Sequence, residues 1–408
     1  MLELSVFDAI LKEDYLGPIR SHINIANPLL KRLDSNSKDI SGRKAIIPME
    51  FGFNQGVGAR KEKAILPSAG EGEYKVAEQK LKSYYGSMEM TGQTMRQSEK
   101  GDKGSFGRAI DIETKGLKNS LSLMLGHDFY MGHELGECTD QTVDIAETGI
   151  TMEDKTNMEY FYKGMVVDFV VRSSGAYAET SAKSKERKIA SVNKSAGLIK
   201  FVTNGDDSLD LDVGDILVRT NTYGACVQGL NDIIDSAGTL QGIDPVSFPS
   251  WASIEQDAGS IAFTLANLKK FIDAVSIESG KYPTVLISDF TTQGKYLDLI
   301  QVNPRYVMGE SKMLDGGFKS LEYSAGASPI TWLADRLCPK GTLFAIHEPD
   351  LQVYSPSDFD WITDLKTGNI WMSGAVGSSP VDTYSAKLFR DIELGCLSRN
   401  SHGKWTGI

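Results

Sequence analysis

Apolar and polar positions follow one another along this chain in blocks whose period changes several times, and the changes mark its elements. Arg43 to Gly52 (RKAIIPMEFG) is apolar and strand-like, and Tyr74 to Thr91 (YKVAEQKLKSYYGSMEMT) is a second strand-like run with charges interspersed. The segment joining them, FNQGVGARKEKAILPSAGEGE, holds Gly56, Gly58, Gly70 and Gly72 and carries both signs of charge in Arg60, Lys61, Glu62, Lys63, Glu71 and Glu73. Together these predict an extended β-hairpin loop over 43 to 91. Arms of roughly 15 residues at about 3.3 Å per residue reach on the order of 50 Å. A compact body of this length has a radius of gyration of only about 22 Å, so the hairpin is expected to project beyond its own copy. A two-stranded ribbon is marginal in water, which makes the surface of a neighbouring copy its expected setting. The alternative is that both strands join one ordinary sheet.

Before the hairpin, Leu2 to about Gly42 mixes short helical patterns with the turn signals Leu16-Gly17-Pro18 and Asn27-Pro28, which predicts an N-terminal arm at 1–42 packing on something else. After it, Gly104 to Tyr130 predicts one long helix in which Phe106, Ile110, Leu117, Leu121 and Met124 fall within roughly a 60° sector. That narrow stripe suits a helix lying across a sheet, with Lys115, Lys118 and Asn119 on the other side. From Gly164 to Thr222 the period shortens again: MVVDFVVRS, RKIASVNKSAGLIKFV and DVGDILVRT are strand-like runs broken by glycine turns, a small inserted β subdomain. TLANLKKFIDAVSIES then places Leu265, Leu268, Ile272 and Val275 on one helix face with Thr264 as N-cap. TVLISDF is continuous enough for a buried strand. Gly341 to Tyr354 and Tyr384 to Leu397 both read as strands.

Length and composition narrow this picture to several structural units. At 408 residues the chain exceeds the size at which one core stops growing. With 41% hydrophobic and 24% charged residues it is an ordinary globular composition, and its 40 glycines suit strands that turn and bulge. The net charge of -11 would repel a phosphate backbone. Cys138, Cys226, Cys338 and Cys396 show no CxxC pair, which argues against a disulfide framework or zinc ribbon and fits a reducing cytoplasm. Glu3, Asp8, Glu13 and Asp14 stand where a signal peptide needs a basic start and an apolar run, and no stretch approaches a membrane span.

Candidate chemistry adds little. His127, His133, Glu134, Glu137 and Cys138 form the only local cluster of possible metal ligands, but Glu137 stands where HExxH needs its second histidine, so ordinary helix-end residues are expected. FGFNQGVGAR matches neither phosphate-binding glycine pattern. Ser191 to Lys194 fits SxxK and Lys366-Thr367-Gly368 fits KTG, yet no SDN accompanies them. Asp206-Asp207 and Asp358 with Asp360 read as turn formers. Neither enzyme activity nor a metal or other cofactor is expected. Trp251, Trp332, Trp361 and Trp371 are either core residues or anchors at contacts between copies; Trp332 is expected to be such an anchor, beside the charged loop residues.

The order of these elements resembles that of the major capsid proteins of tailed bacteriophages, which share the Hong Kong 97 shell fold. KAIIPMEFGFNQGVGAR, GSFGRAIDIETKGLKNSL, SPITWLADRLCPKGTLFAIHEPDLQVYSPSDFDWI and YSAKLFRDIELGCLSRNSHGKWTGI carry the resemblance, which covers nearly the whole chain. It implies an α+β fold with a spine helix at 104–130 inside a peripheral domain at 92–163, the β insertion at 164–222 and a connector at 223–259. An axial domain at 260–380 and a C-terminal strand at 381–408 returning to the peripheral domain complete it. It also implies homo-pentamers and homo-hexamers closing into an icosahedral capsid that encloses double-stranded DNA without sequence-specific binding, in the virion and, during assembly, in the host cytoplasm. Only about forty residues precede the loop, so a separate scaffolding protein is expected, with portal and decoration proteins as further partners and no membrane. Some relatives join copies through a loop lysine; Lys61 and Lys63 lie suitably, but no crosslink is expected. The same fold also serves encapsulin-type compartments, the nearest rival; a metal-dependent or hydrolytic enzyme on 260–380 is the remote one.

Overall fold

The structure, a computed structural model, describes residues 28–93, 103–138, 143–144, 149–152, 158, 160–173, 176–202, 208–209, 214–301, 321–324, 329–363, 369–376 and 379–408. Most of the expected arm, the Asp206-Asp207 pair and the KTG triplet lie outside these residues. Its principal elements include β1 (Lys44–Gly52), β2 (Glu73–Lys80), β3 (Lys82–Thr91), α1 (Lys103–Met131), α2 (Leu265–Ser279) and β4 (Ser379–Cys396). The chain divides into two compact units. Among the described residues one takes in 82–126 and 355–392, and the other 28–81, 127–354 and 393–408.

In the first unit β3 pairs antiparallel with β4 over its whole length, from Lys82 opposite Ile392 to Thr91 opposite Thr383. Alternation gives β3 one buried face, with Tyr84, Gly86, Met88 and Met90 inward. Leu117 and Leu121 of the α1 stripe lie on that face, as the sequence period predicts for them. A side chain added at Gly86 would come within 2.9 Å of both Leu117 and Leu121, so the missing Cβ is what lets the helix sit this close. The side chains of Phe106 and Ile110 lie outside the described ones.

The second run of the expected hairpin is therefore not one arm. It breaks at Leu81: β2 pairs with β1, whereas β3 joins β4 in another sheet. The arms are 9 and 8 residues long, not about 15, and Ile40–Ser41 adds a third short strand beside β1.

The second unit has its main core in a six-stranded mixed sheet ordered Ile254–Asp257, Gly403–Thr406, Leu343–Ile346, Val285–Ser288, Pro329–Ala334 and Leu321–Ser324. Thr264 caps α2 as its sequence predicts, its hydroxyl accepting from Asn267 N at 3.2 Å, and Gly280 ends the helix in the left-handed region. Leu268, Phe271, Ile272 and Val275 of α2 bury against Leu286, Trp332, Ala345 and Trp405. The segment from Gly341 to Tyr354 divides at Pro349, giving Leu343–Ile346 in this sheet and Leu351–Tyr354 beside the end of β4. The β insertion likewise draws on strands outside 164–222: Glu134–Glu137 and Ile150–Thr151 complete its six-stranded sheet.

His402 and Gly403, where the chain enters the Gly403–Thr406 strand, yield expected results. A Cβ at Gly403 would lie 2.7 Å from Val275 and 2.8 Å from Phe271. Gly403→Val forces α2 off the sheet and should lower unfolding free energy by about 1–3 kcal/mol in denaturant titration; an unchanged midpoint would show that the helix can shift freely. His402 is fully buried, its Nδ1 accepting from His347 N at 3.3 Å, and burial lowers its pKa to about 4. The unfolded chain takes up a proton near 6.5 and the folded one only near 4. Stability is thus complete above pH 6.5 and falls as pH drops towards 4, by on the order of 3 kcal/mol. His402→Asn should flatten that part of the pH profile; an identical slope in the variant would remove His402 as its cause.

Candidate assembly surface

The hairpin of β1 and β2 has two faces of opposite character, set by the two-residue period. Ala45, Ile47, Met49, Ala77 and Gln79 are buried, while Ile46, Pro48, Glu50, Tyr74, Val76 and Glu78 point to solvent. The ladder places Pro48 opposite Val76, Glu50 opposite Tyr74 and Ile46 opposite Glu78, so the outward face is an apolar strip edged by carboxylates. Lys44 pairs with Glu78 and holds that carboxyl below the usual glutamate range, chiefly through their hydrogen bond.

The inward face is anchored to its own unit. Phe51 packs on Phe248 at 4.8 Å and Trp251 at 5.9 Å between ring centres, and the Lys75 ammonium sits 5.4 Å from the Phe248 ring centre. Glu78 N donates to Gln241 O at 3.2 Å. The Gln241 side-chain amide, oriented by its partners, bridges the N–H and C=O of Cys396 at 2.9 Å each. Gln79 Nε2 donates to Gln228 Oε1 at 3.2 Å, and Gln228 N to the buried Glu393 carboxylate at 2.9 Å. This root fixes the hairpin as a stiff projection.

Beyond the ladder, residues 53–72 form a closed lobe without strand pairing. Its neck is pinched where Gly56 and Gly70 meet: a Cβ on Gly70 would come 2.5 Å from Gly56 N. Arg60 ties the lobe together, donating through Nε to Ile65 O at 3.1 Å and through Nη1 to Ala59 O at 3.0 Å, while Ala64 N donates to Lys61 O. The apolar side chains of the lobe turn outward. Phe53 is 96% exposed, Val57 86%, Ile65 91% and Leu66 78%. Each would contribute about 1.5–3 kcal/mol on full burial, and so much exposed apolar side chain on one loop marks a contact surface.

Of the residues singled out from sequence, Arg60, Lys61, Glu62, Lys63, Glu71 and Glu73 all lie on this lobe and its neck and are exposed. Trp332 does not. It is 1% exposed, stacks on Tyr296 at 4.4 Å and donates its indole N–H to Ser288 Oγ at 2.9 Å, which makes it a core residue rather than a surface anchor. In the sequence the loop's charges are the plainer signal, and Phe53, Val57, Ile65 and Leu66 are not singled out by it. Their signal was present as apolar residues between glycines and Pro67, in a stretch too irregular to bury them.

The other candidate chemistry disperses. His127 is buried against Tyr160, with Nδ1 3.0 Å from Asp128 and its pKa lowered chiefly by burial. His133 meets the edge of Tyr223 instead, and Glu134 and Glu137 lie in a strand. Among the described residues no group of three or more His, Cys, Asp or Glu side chains could hold a metal ion. All four cysteines are buried and none forms a disulfide, and burial pushes the Cys396 thiol up to about 12. Ser191 lies in the strand Ala176–Asn193, Asp358 pairs with Arg390 at 3.3 Å, and Asp360 accepts from Trp361 N. A cleft lined by Arg32, Asp34, Thr284, Glu348 and Pro349 is bridged by the Arg32–Glu348 ion pair at 2.6 Å. No helix among the described residues is long and apolar enough to cross a membrane.

No protein-family model matches the chain, and no curated protein matches it. Solved structures do. A chain of the cyanophage A-1(L) capsid asymmetric unit is 13% identical with a TM-score of 0.55, covering 100% of this chain and 99% of that one. A chain of the native GTA particle capsid is 8% identical with a TM-score of 0.48, covering 98% of each. A chain of the cyanophage P-SCSP1u capsid is 10% identical with a TM-score of 0.45, covering 98% of this chain and 94% of that one. The likeness to the cyanophage A-1(L) chain shows the fold. From end to end this chain has the mixed α+β fold of a phage capsid chain.

Proposed function

We propose that this chain is the major capsid protein of a tailed bacteriophage, with the Hong Kong 97-like shell fold, whose copies associate as pentamers and hexamers into an icosahedral head around double-stranded DNA. The observation that carries the reading is the hairpin lobe: a stiffly rooted projection that leaves Phe53, Val57, Ile65 and Leu66 bare in its own copy. The likeness to the cyanophage A-1(L) capsid chain supports it. In this reading α1 is the spine of the peripheral domain, 260–380 is the axial domain, and the hairpin lies over an adjacent copy. An obligate interface of about 2,000 Å² or more then holds the shell closed. The net charge of -11 keeps the container from binding packed DNA tightly. A separate scaffolding protein and a portal would act with it in the host cytoplasm before the shell becomes part of the virion.

Negative-stain images of the protein recovered from the cells that make it test the reading. Closed shells of uniform size containing DNA, with a portal at one vertex, are expected. Shells filled with protein would instead mean an encapsulin-type compartment, and a soluble monomer with a bound metal would overturn the shell reading. Particles boiled in detergent are expected to run as single chains of 44.6 kDa, because no acceptor for Lys61 or Lys63 is evident; ladders of multiples would contradict this.

A further inference from the structure

The hairpin's ties to the chain beyond Leu81 gather on one short stretch, residues 240–251. Phe51 rests on Phe248 and Trp251, Lys75 on Phe248, and Glu78 N donates to Gln241 O. Among the described residues that last bond is the only main-chain hydrogen bond joining 44–80 to anything after Leu81. Ring contacts hold a strand near a surface and let it slide, whereas a directional hydrogen bond fixes its register. Gln241 is also unusual in its backbone. Leu240 and Ile243 exchange both main-chain hydrogen bonds, at 3.1 and 2.9 Å, and φ at the two residues between them is 54° and 81°. Such a two-residue turn favours asparagine and glycine, and glutamine enters the left-handed region at a cost. What glutamine adds is reach. Its side chain is 6% exposed, and its amide donates to Cys396 O and accepts from Cys396 N at 2.9 Å each, where the shorter asparagine would fall short of both. Cys396 ends β4, so one residue joins the hairpin, through its carbonyl, to the end of that strand, through its amide.

We propose that Gln241 is the positioning residue of the hairpin: it pins the 240–251 stretch to Cys396 and so sets the hairpin's direction before any other copy arrives. This rests on the shell reading, in which the hairpin is an assembly element. A projection already held in one direction loses little freedom on association, whereas one that swings must give that freedom up. The pin therefore acts on how readily copies associate and not on how much surface they bury. Without it, Gln79 still donates to Gln228 and Phe51 still packs on Phe248, so the hairpin stays seated and its loss of direction shows as swing.

Gln241→Asn tests this, since it keeps the amide, suits the turn and is one methylene too short to reach Cys396. Gln241→Met fills the same space without either bond; it should behave alike and stands in if the asparagine variant does not fold. Gly403→Val, which strains α2 and touches none of these contacts, supplies a matched loss of stability. All four native cysteines are buried, so spin labels on Glu50→Cys and Lys270→Cys, both exposed, report the distance from the hairpin to α2. Pulsed electron resonance on the full chain, below the concentration at which it assembles, should give one narrow distance distribution for wild type and for Gly403→Val, and a broad one for the Gln241 variants. Without labels, the lowest concentration at which particles form should rise about threefold to tenfold more in the Gln241 variants than in Gly403→Val, with finished particles of normal size. A distribution as narrow as that of wild type, or equal broadening in Gly403→Val, would overturn the positioning role, as would an assembly threshold raised no further than in Gly403→Val. A wild-type chain that forms no particles would overturn the shell reading, and the distance distribution alone would then decide the role of Gln241.

Discussion

Excising residues 53–72 and joining Gly52 to Glu73 through an Asn-Gly turn should leave a subunit that folds and forms no closed particles. Gly52 and Glu73 already face each other at the end of the β1–β2 ladder, and Asn-Gly supplies the positive φ values a two-residue connection needs. The root is untouched: Phe51 keeps Phe248 and Trp251, and Gln79 keeps Gln228. Subunit stability is therefore expected to change by no more than about 1 kcal/mol, as for a surface change away from buried contacts. Assembly loses the whole lobe, with four apolar side chains worth together on the order of 6–12 kcal/mol if fully buried. That is enough to reduce particle yield below detection by sedimentation. Particles of normal size and yield from the excised chain would show that the lobe is not an assembly element.

The largest effect expected on the subunit itself belongs to Arg399. Its guanidinium is fully buried and donates to three carbonyls, Ile233 O at 2.7 Å, Asp232 O at 3.3 Å and Gly238 O, with Asp235 4.0 Å away. These carbonyls belong to a short helix and the turn after it, where few backbone donors are at hand, so the arginine satisfies what the backbone cannot. Arg399→Met keeps much of the volume and leaves the three acceptors bare. A loss of about 3–5 kcal/mol in denaturant titration is expected, the range for breaking a buried charged network by removing one partner. A loss below about 1 kcal/mol would mean that water replaces the guanidinium at little cost.

What could be read from the sequence was what depends on neighbours along the chain. The helix over Lys103–Met131 follows from a stripe repeating every three to four residues, the Thr264 cap from a hydroxyl before an apolar period, and the buried Val285–Ser288 strand from an unbroken apolar run. What depends on distant partners was not legible. Nothing between Tyr74 and Thr91 announces that pairing changes at Leu81, because β3 gets its partner from β4, about three hundred residues later. The strands Glu134–Glu137 and Ile150–Thr151 likewise join the insertion's sheet through pairings no local period reveals. Pro349 was a visible break in the run from Gly341 to Tyr354, and the two strands it separates belong to different sheets.

The proposed assembly surface was half legible. Alternating charges and glycines drew attention to the loop, and the structure places all six of the selected loop residues on it. Its apolar side chains were missed because an isolated Phe53 or Ile65 in a sequence looks like core. Trp332 was misplaced for the complementary reason: tryptophan is favoured both in cores and at contacts, and only its stacking on Tyr296 and its bond to Ser288 decide between them.

Among the described residues nothing covers Phe53, Val57, Ile65 and Leu66 at the hairpin's end. A density map of the intact particle at side-chain detail tests their role in assembly most directly. Val57, Ile65 and Leu66 of each copy are expected to be buried against a neighbouring copy, with the root still seated on Phe248 and Trp251. A particle in which the lobe stands free in solvent, or folds back on its own copy, would contradict it.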